Sequence, residues 1–127
     1  MDKPMIQLVH SSGEARVDSR VIAEQLGVKH KNTLALVEKH SKHFQRFGVV
    51  PFQTDKPLRG TAGRRPERFS LLNEDQAYFL LSLTKNTARV VELKANLVMA
   101  FRDARNQAGL DSVMGMILLT APAPWEK

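Results

Sequence analysis

The sequence contains no cysteine, and it has one tryptophan and one tyrosine among 127 residues. Without cysteine the chain has no disulfide bonds, no cysteine-ligated zinc site and no thiol nucleophile. Its most apolar tract, residues 113–121, falls well short of the roughly 18 residues that a membrane-spanning helix needs. The first residues also lack the long apolar run and small-residue cleavage site of a signal peptide. We therefore expect no membrane association and a cytoplasmic location.

Acidic residues are scarce in the middle of the chain. Ten basic and three acidic residues fall between Lys29 and Arg68, which gives this stretch a net charge of +7. The whole chain carries +6, so the remainder is close to neutral at −1. A charge focused in this way favours a polyanionic partner, because scattered lysines mainly aid solubility. The alternative is a basic, solvated face without a partner.

Sequence signatures of enzymes and metal sites are weak. His30, His40 and His43 lie near one another in sequence, but a zinc site needs three or four ligands and no carboxylate is placed to complete one. The order His30, Asn32, His40 loosely resembles a metal-dependent nuclease motif, yet the spacing is too short and carboxylates for Mg²⁺ are few. No serine has a Gly-x-Ser-x-Gly setting, and no glycine-rich loop opens a helix. We expect no metal, no cofactor and no catalysis.

Residues 18–40 show the pattern of two short helices joined by a tight bend. Val21, Ile22 and Leu26 form the apolar stripe of a first helix at residues 19–26, which Asp18 or Ser19 would cap. Gly27 supplies the positive φ that a sharp bend requires. A second helix starts near His30 and places Leu34, Val37 and Leu36 on its inner face. Such helix pairs also occur in folds that never touch DNA.

The start of the second helix is polar and basic, which is where a helix-turn-helix presents side chains to base edges in the major groove. This predicts a DNA-reading group formed by Lys29, His30, Lys31, Asn32 and Thr33. Asn32 can bind adenine bidentately, and Lys31 can reach guanine.

Two strands are predicted on either side of a basic connection that follows the helix pair. Residues 48–52 begin one strand at an edge position, because Pro51 lacks a backbone donor, and residues 67–72 return as the other. The connecting residues 53–66 are rich in glycine, proline and arginine, as in the wing of a winged helix. Phosphate contacts are predicted for Lys39, Arg59, Arg64, Arg65 and Arg68. A surface loop that merely carries arginines is the alternative.

The remaining elements complete an α+β fold, a winged helix-turn-helix-like domain with a small N-terminal β-hairpin (residues 5–9 and 15–17), a β-wing and C-terminal helices. Phe44 and Phe47 are expected to pack inward, and Asn73 is expected to cap the next helix. A longer helix, 87–107, is predicted to end at Gly109. It serves either core packing or a homodimer interface. We place a DNA-binding domain at residues 1–109. Residues 110–127 are an apolar segment and linker, with a short helix at 111–119.

The order of these segments resembles the Rha family of phage regulatory proteins over about residues 5–106. The matching pieces are residues 19–27, 30–34, 69–83 and 94–101. The sequence departs from many relatives at residues 85–87, where they carry a glycine-bearing turn. The closing residues Pro-Trp-Glu-Lys resemble the start of a separate C-terminal module, which suggests that the chain is part of a longer protein.

The resemblance implies a phage or prophage regulator that acts in the cytoplasm of a bacterial host and binds double-stranded DNA. Some neighbouring phage families instead act as antirepressors that bind a phage repressor protein. The sequence leaves both readings open, together with the operator, the oligomeric state and the sign of regulation.

Overall fold

The computed structural model describes residues 6–11, 13–55 and 66–119, with the backbone alone for residue 55 and residues 111–119. Pairs of strands and groups of helices follow one another along this part of the chain, and the strand pairs are antiparallel, so the predicted α+β class is confirmed. In chain order the elements are β1 (Val9–Ser11), β2 (Glu14–Asp18), α1 (Ser19–Leu26), α2 (His30–Lys39), α3 (Ser41–Phe44), a 3₁₀ turn (Gln45–Phe47), β3 (Phe52–Asp55), β4 (Glu67–Leu72), α4 (Glu74–Ser82) and α5 (Ala88–Leu119).

The strands of the described residues form an antiparallel sheet in the order β1-β2-β4-β3. The sheet centre is the pairing of β2 with β4, in which Val17 lies opposite Leu72. β3 takes the edge position that Pro51 predicts. It starts at Phe52, however, so the expected start at residue 48 is wrong. Gly48 has a φ of 129°, which a strand residue does not adopt.

The N-terminal hairpin forms, but its pairing is shifted along the chain. β1 covers residues 9–11 instead of the predicted 5–9, and His10 lies opposite Ala15. Among the described residues, those before Val9 therefore take no part in the strand pairing, although apolar and polar residues alternate there. β2 then leads without a linker into α1, which orients the helix pair relative to the sheet.

The helix pair forms as predicted, because local signals fix both ends of α1. Asp18 caps its start by accepting a hydrogen bond from the Arg20 backbone N–H at 2.8 Å. Gly27 ends it with φ +71°, and the backbone N–H groups of Gly27 and Val28 donate to Glu24 and Ala23 in a Schellman arrangement.

The core lies between the helices and one face of the sheet. Its fully or nearly fully buried apolar side chains come from every major element: Val17, Ile22, Val37, Phe44, Leu72, Leu80, Leu81, Val90, Leu93, Leu97 and Phe101. Phe44 packs inward as predicted, but the prediction for Phe47 is wrong. Phe47 is 39% exposed, since it lies on the rim with its ring 5.7 Å from that of Phe79.

α4 begins with a capping box, in which the Asn73 side chain accepts from the Gln76 backbone and Gln76 accepts from the Asn73 backbone. This confirms Asn73 as the cap. Gln76 is fully buried and also donates to the carbonyl oxygens of Phe44 and Gly48. The capping box thereby ties α4 to the segment that leads into β3.

α5 runs continuously to Leu119, so the predicted end at Gly109 is wrong. Gly109 does not adopt a positive φ, and a helical glycine costs only about 1 kcal/mol relative to alanine. The residues 111–119, which we predicted as a separate short helix, continue the same helix. The domain boundary that the sequence places at residue 109 therefore lies inside α5. No helix in the described ranges has the length and apolar character to cross a bilayer.

Candidate nucleic-acid interface

One face of α2 is exposed, polar and basic. Its exposed positions follow helical spacing, which puts residues three and four apart on the same side. They are Lys31, Asn32, Ala35, Glu38 and Lys39, with exposed Lys29 just ahead of the helix. The opposite side carries the buried residues Leu34 and Val37, as predicted. The helix therefore presents amide and ammonium groups to solvent on a surface that contains one small residue near its middle.

Of the five residues predicted to read DNA, the fold exposes three and largely buries two. Lys29, Lys31 and Asn32 are exposed. Thr33 is 3% exposed, because its helical phase places it beside Leu34 and Val37. His30 has 14% of its side chain exposed and is held by other side chains. In this conformation Thr33 and His30 are not available to a groove.

Ala35 and Glu38 also belong to this face, and the sequence reading missed them. Neither an alanine nor a glutamate is a residue type typical of a DNA-reading helix face, so composition alone does not indicate them. Helical spacing from Lys31 would have found both, since they follow at four and seven residues.

Arg68 connects the face of α2 to the β3–β4 hairpin. Its guanidinium lies 3.0 Å from the Glu38 carboxylate and 4.1 Å from the centre of the Phe52 ring. Both charged side chains are about half exposed, so the ion pair is worth little by itself. Its effect is geometric, because it holds the hairpin beside α2 and engages an arginine that was predicted to contact phosphate.

Further cations extend the basic surface beyond α2. Lys39, Lys42 and Arg46 are exposed along the segment from the end of α2 to the 3₁₀ turn. The predicted phosphate contacts Arg59, Arg64 and Arg65 lie outside the described residues. By sequence they belong to the connection between β3 and β4.

A polar cluster that is buried at Ser19 and half exposed at Glu67 lies behind the start of α2. The Ser19 hydroxyl is 2.8 Å from His30 Nε2, and it accepts a hydrogen bond of 3.0 Å from the Ser70 backbone N–H. On the other side of the ring, His30 Nδ1 is 3.4 Å from the Glu67 carboxylate. Arg20 lies 3.6 Å from the same carboxylate and stacks on the Phe69 ring at 3.7 Å.

The order serine, histidine, glutamate resembles the arrangement of a catalytic triad. Ser19 is 0% exposed, however, so its hydroxyl cannot reach a substrate carbonyl in this structure. A search for three or more histidine, aspartate or glutamate side chains that could hold a metal ion found none among the residues described here. The cluster is thus placed to hold the fold in position.

A family model matches residues 17–106, which is most of the chain and includes both helices of the pair, β3, β4 and α4. Its description is phage regulatory protein Rha. The chain belongs to the Rha family. Membership indicates a regulatory role in a phage, and the family description names no catalytic activity. No curated protein and no solved structure matches the chain in the corresponding comparisons.

Proposed function

We propose that this Rha-family chain is a phage or prophage regulator that binds double-stranded DNA as a winged helix-turn-helix. In this proposal α2 enters the major groove and the β3–β4 hairpin is the wing. The observation that carries it is the exposed face of α2, where Lys31, Asn32 and Lys39 surround Ala35. A small residue at the centre allows the helix to approach the groove closely, and the polar residues around it match the groove's donors and acceptors.

Base reading is assigned to Lys29, Lys31 and Asn32. The Asn32 amide can donate to N7 and accept from N6 of adenine, while Lys31 can donate to O6 and N7 of guanine. Lys29, the N-cap residue of α2, makes no side-chain cap hydrogen bond. No N-cap side chain therefore competes with a phosphate for the backbone N–H groups of the first turn, of which the Asn32 N–H donates to the Lys29 carbonyl oxygen.

Phosphate binding is assigned to Lys39 on α2 and to Arg59, Arg64 and Arg65 between β3 and β4. Arg68 joins them by exchanging its half-exposed Glu38 partner for a phosphate oxygen. The net charge of +7 between residues 29 and 68 supports this assignment, because neutralising phosphates releases counterions from DNA.

The test is selection of bound duplexes from a random pool with the full chain at near-physiological salt. We expect one enriched site. Asn32→Ala should relax preference at one base pair by about 1–3 kcal/mol. The double variant Arg64→Ala, Arg65→Ala should weaken all sequences alike and lower the salt slope by about two.

Lys85→Ala is the matched control, since it removes an exposed cation between α4 and α5, outside both the basic stretch and the apolar surface of α5, and should leave DNA binding unchanged. No enrichment, together with salt-resistant binding to a phage repressor that does not need the arginines, would instead identify the chain as an antirepressor.

A homodimer through α5 is part of the same proposal. The exposed side chains Val91, Val98 and Met99 give the N-terminal half of α5 a second apolar surface beside the one that packs on the core. A two-fold dimer would place two copies of α2 on a pseudo-palindromic site.

A further inference from the structure

His30 joins three parts of the fold at the start of α2. Its ring contacts Ser19, the first residue of α1, through Nε2 and Glu67, the first residue of β4, through Nδ1. The Ser19 hydroxyl also accepts a hydrogen bond from the backbone N–H of Ser70, which belongs to β4. The His30 ring therefore links α2 to β4 in two ways, directly through Glu67 at Nδ1 and indirectly through Ser19 at Nε2.

The hydrogen-bond directions follow from the donors present. Because the Ser70 N–H donates to the Ser19 oxygen, the Ser19 hydroxyl proton is available to donate to His30 Nε2. A ring that accepts at Nε2 carries its proton on Nδ1, where it faces the Glu67 carboxylate at 3.4 Å. The burial of Ser19 makes these bonds costly to lose, since an unpaired buried hydroxyl has no water to replace its partner.

The connection continues into the hairpin. The Ser70 hydroxyl donates to the Pro51 carbonyl oxygen at 3.0 Å, immediately before β3. β3 and β4 are paired from Phe52 opposite Ser70 to Asp55 opposite Glu67. A chain of hydrogen bonds therefore runs from the base of the hairpin to the first residue of α2.

We infer that Ser19, His30 and Glu67 form a relay that sets the position of α2 relative to the β3–β4 hairpin, and that His30 is a positioning residue of the DNA-reading face. This inference rests on the proposed DNA-binding function for its consequence, but the relay itself exists without DNA. In this inference His30 holds α2 in position and makes no base contact, because both ring nitrogens already have partners in Ser19 and Glu67.

The first test is independent of DNA. Nitrogen-15 NMR of the full chain in mildly alkaline solution reports which ring nitrogen of each histidine carries the proton. The His30 signals are identified from their loss in His30→Gln. We expect His30 to be protonated at Nδ1 and unprotonated at Nε2, whereas protonation at Nε2 would overturn the relay. In Ser19→Ala the preference for Nδ1 should weaken, because Glu67 alone still faces that nitrogen, and in the double variant Ser19→Ala, Glu67→Ala it should disappear. A preference for Nδ1 that persists in the double variant would also contradict the relay.

The second test uses the base preferences of the variants in duplex selection. A positioning role predicts that His30→Asn and Ser19→Ala lower preference at all positions of the site. The ratio of specific to non-specific affinity should fall about tenfold, with non-specific binding changed less than about twofold. His30→Gln should recover most of the ratio, because its amide oxygen can accept from Ser19. Loss confined to one base pair in the His30 variants, with Ser19→Ala unaffected, would make His30 a base contact.

The two tests separate the two failures. If the wild-type chain binds no duplex, the proposed function fails, while the tautomer still decides for or against the relay. If Ser19→Ala does not fold, the wild-type tautomer and the comparison of His30→Gln with His30→Asn still decide.

Discussion

Gly27 sets the bend between α1 and α2, and its replacement by alanine should destabilise the protein by two separable effects. The first is conformational, because φ is +71° at Gly27 and an L-residue pays about 1–2 kcal/mol in the left-handed region. Gly13 offers the matched control, since its φ is +75° and, among the described residues other than its chain neighbours, no atom lies within 4 Å of an added Cβ. Gly13→Ala should therefore show the conformational cost alone.

The second effect is a steric overlap with Arg89. A Cβ at Gly27 would overlap the Arg89 guanidinium, which reaches from α5 and donates a long, exposed hydrogen bond of 3.4 Å to the Leu26 carbonyl. A flexible side chain can withdraw, so we expect an added cost of only about 0.5–1 kcal/mol for the lost bond. Gly27→Ala should then cost about 1.5–3 kcal/mol in total.

Urea denaturation of the two alanine variants, of Arg89→Ala and of the double variant Gly27→Ala, Arg89→Ala measures both effects. Once Arg89 is absent, the cost of Gly27→Ala should fall to that of Gly13→Ala. The reasoning is refuted if Gly27→Ala costs no more than Gly13→Ala, or if its cost is the same with and without Arg89.

Three further predictions concern other parts of the fold. Burial, followed by the hydrogen bond to Glu74, raises the pKa of Tyr78 from 10.0 to about 12. The contribution of the neutral Tyr78 hydroxyl to the free energy of unfolding should be complete below pH 10 and should be lost as pH rises towards 12. Tyrosinate absorbance of this single tyrosine gives its pKa directly, and the loss of stability between pH 10 and pH 12 should be absent in Tyr78→Phe. In sedimentation equilibrium, Val98→Glu should convert a dimer of the chain to monomers, because it places a charge in the α5 interface. Val49→Glu, at another exposed valine, should leave the molar mass unchanged, and equal effects of the two variants would argue against the α5 interface. Gln76→Leu should cost at least about 2 kcal/mol in denaturation, because the buried backbone groups it serves lose their partners, while exposed Gln45→Leu should be nearly neutral.

Elements with local signals at both ends could be predicted from the sequence. The bounds of α1 follow from Asp18 and Gly27, and those of β4 follow from Pro66 before it and Asn73 after it, although residues 69–72 are buried in succession and do not alternate. The end of α5 could not be predicted in this way, because Gly109 is compatible with a helix and gives no stop signal by itself.

The candidate interface was predictable in location but not in detail. The basic start of α2 indicated an exposed polar helix face, which the structure has, yet only the phase of Leu34 and Val37 shows that Thr33 turns inward. The contacts of His30 with Glu67 and of Glu38 with Arg68 join residues at least 30 positions apart, so no local pattern could reveal them.

The most direct measurement for the central claim is the salt dependence of binding to the selected duplex, followed by fluorescence anisotropy with a scrambled duplex as reference. Five phosphate contacts, from Lys39, Arg59, Arg64, Arg65 and Arg68, predict a slope of log K against log salt of roughly −4.5 per chain. The selected duplex should bind at least about a thousandfold more tightly than the scrambled one. Absence of binding, or equal affinity for both duplexes with a slope near zero, would contradict a DNA-reading role.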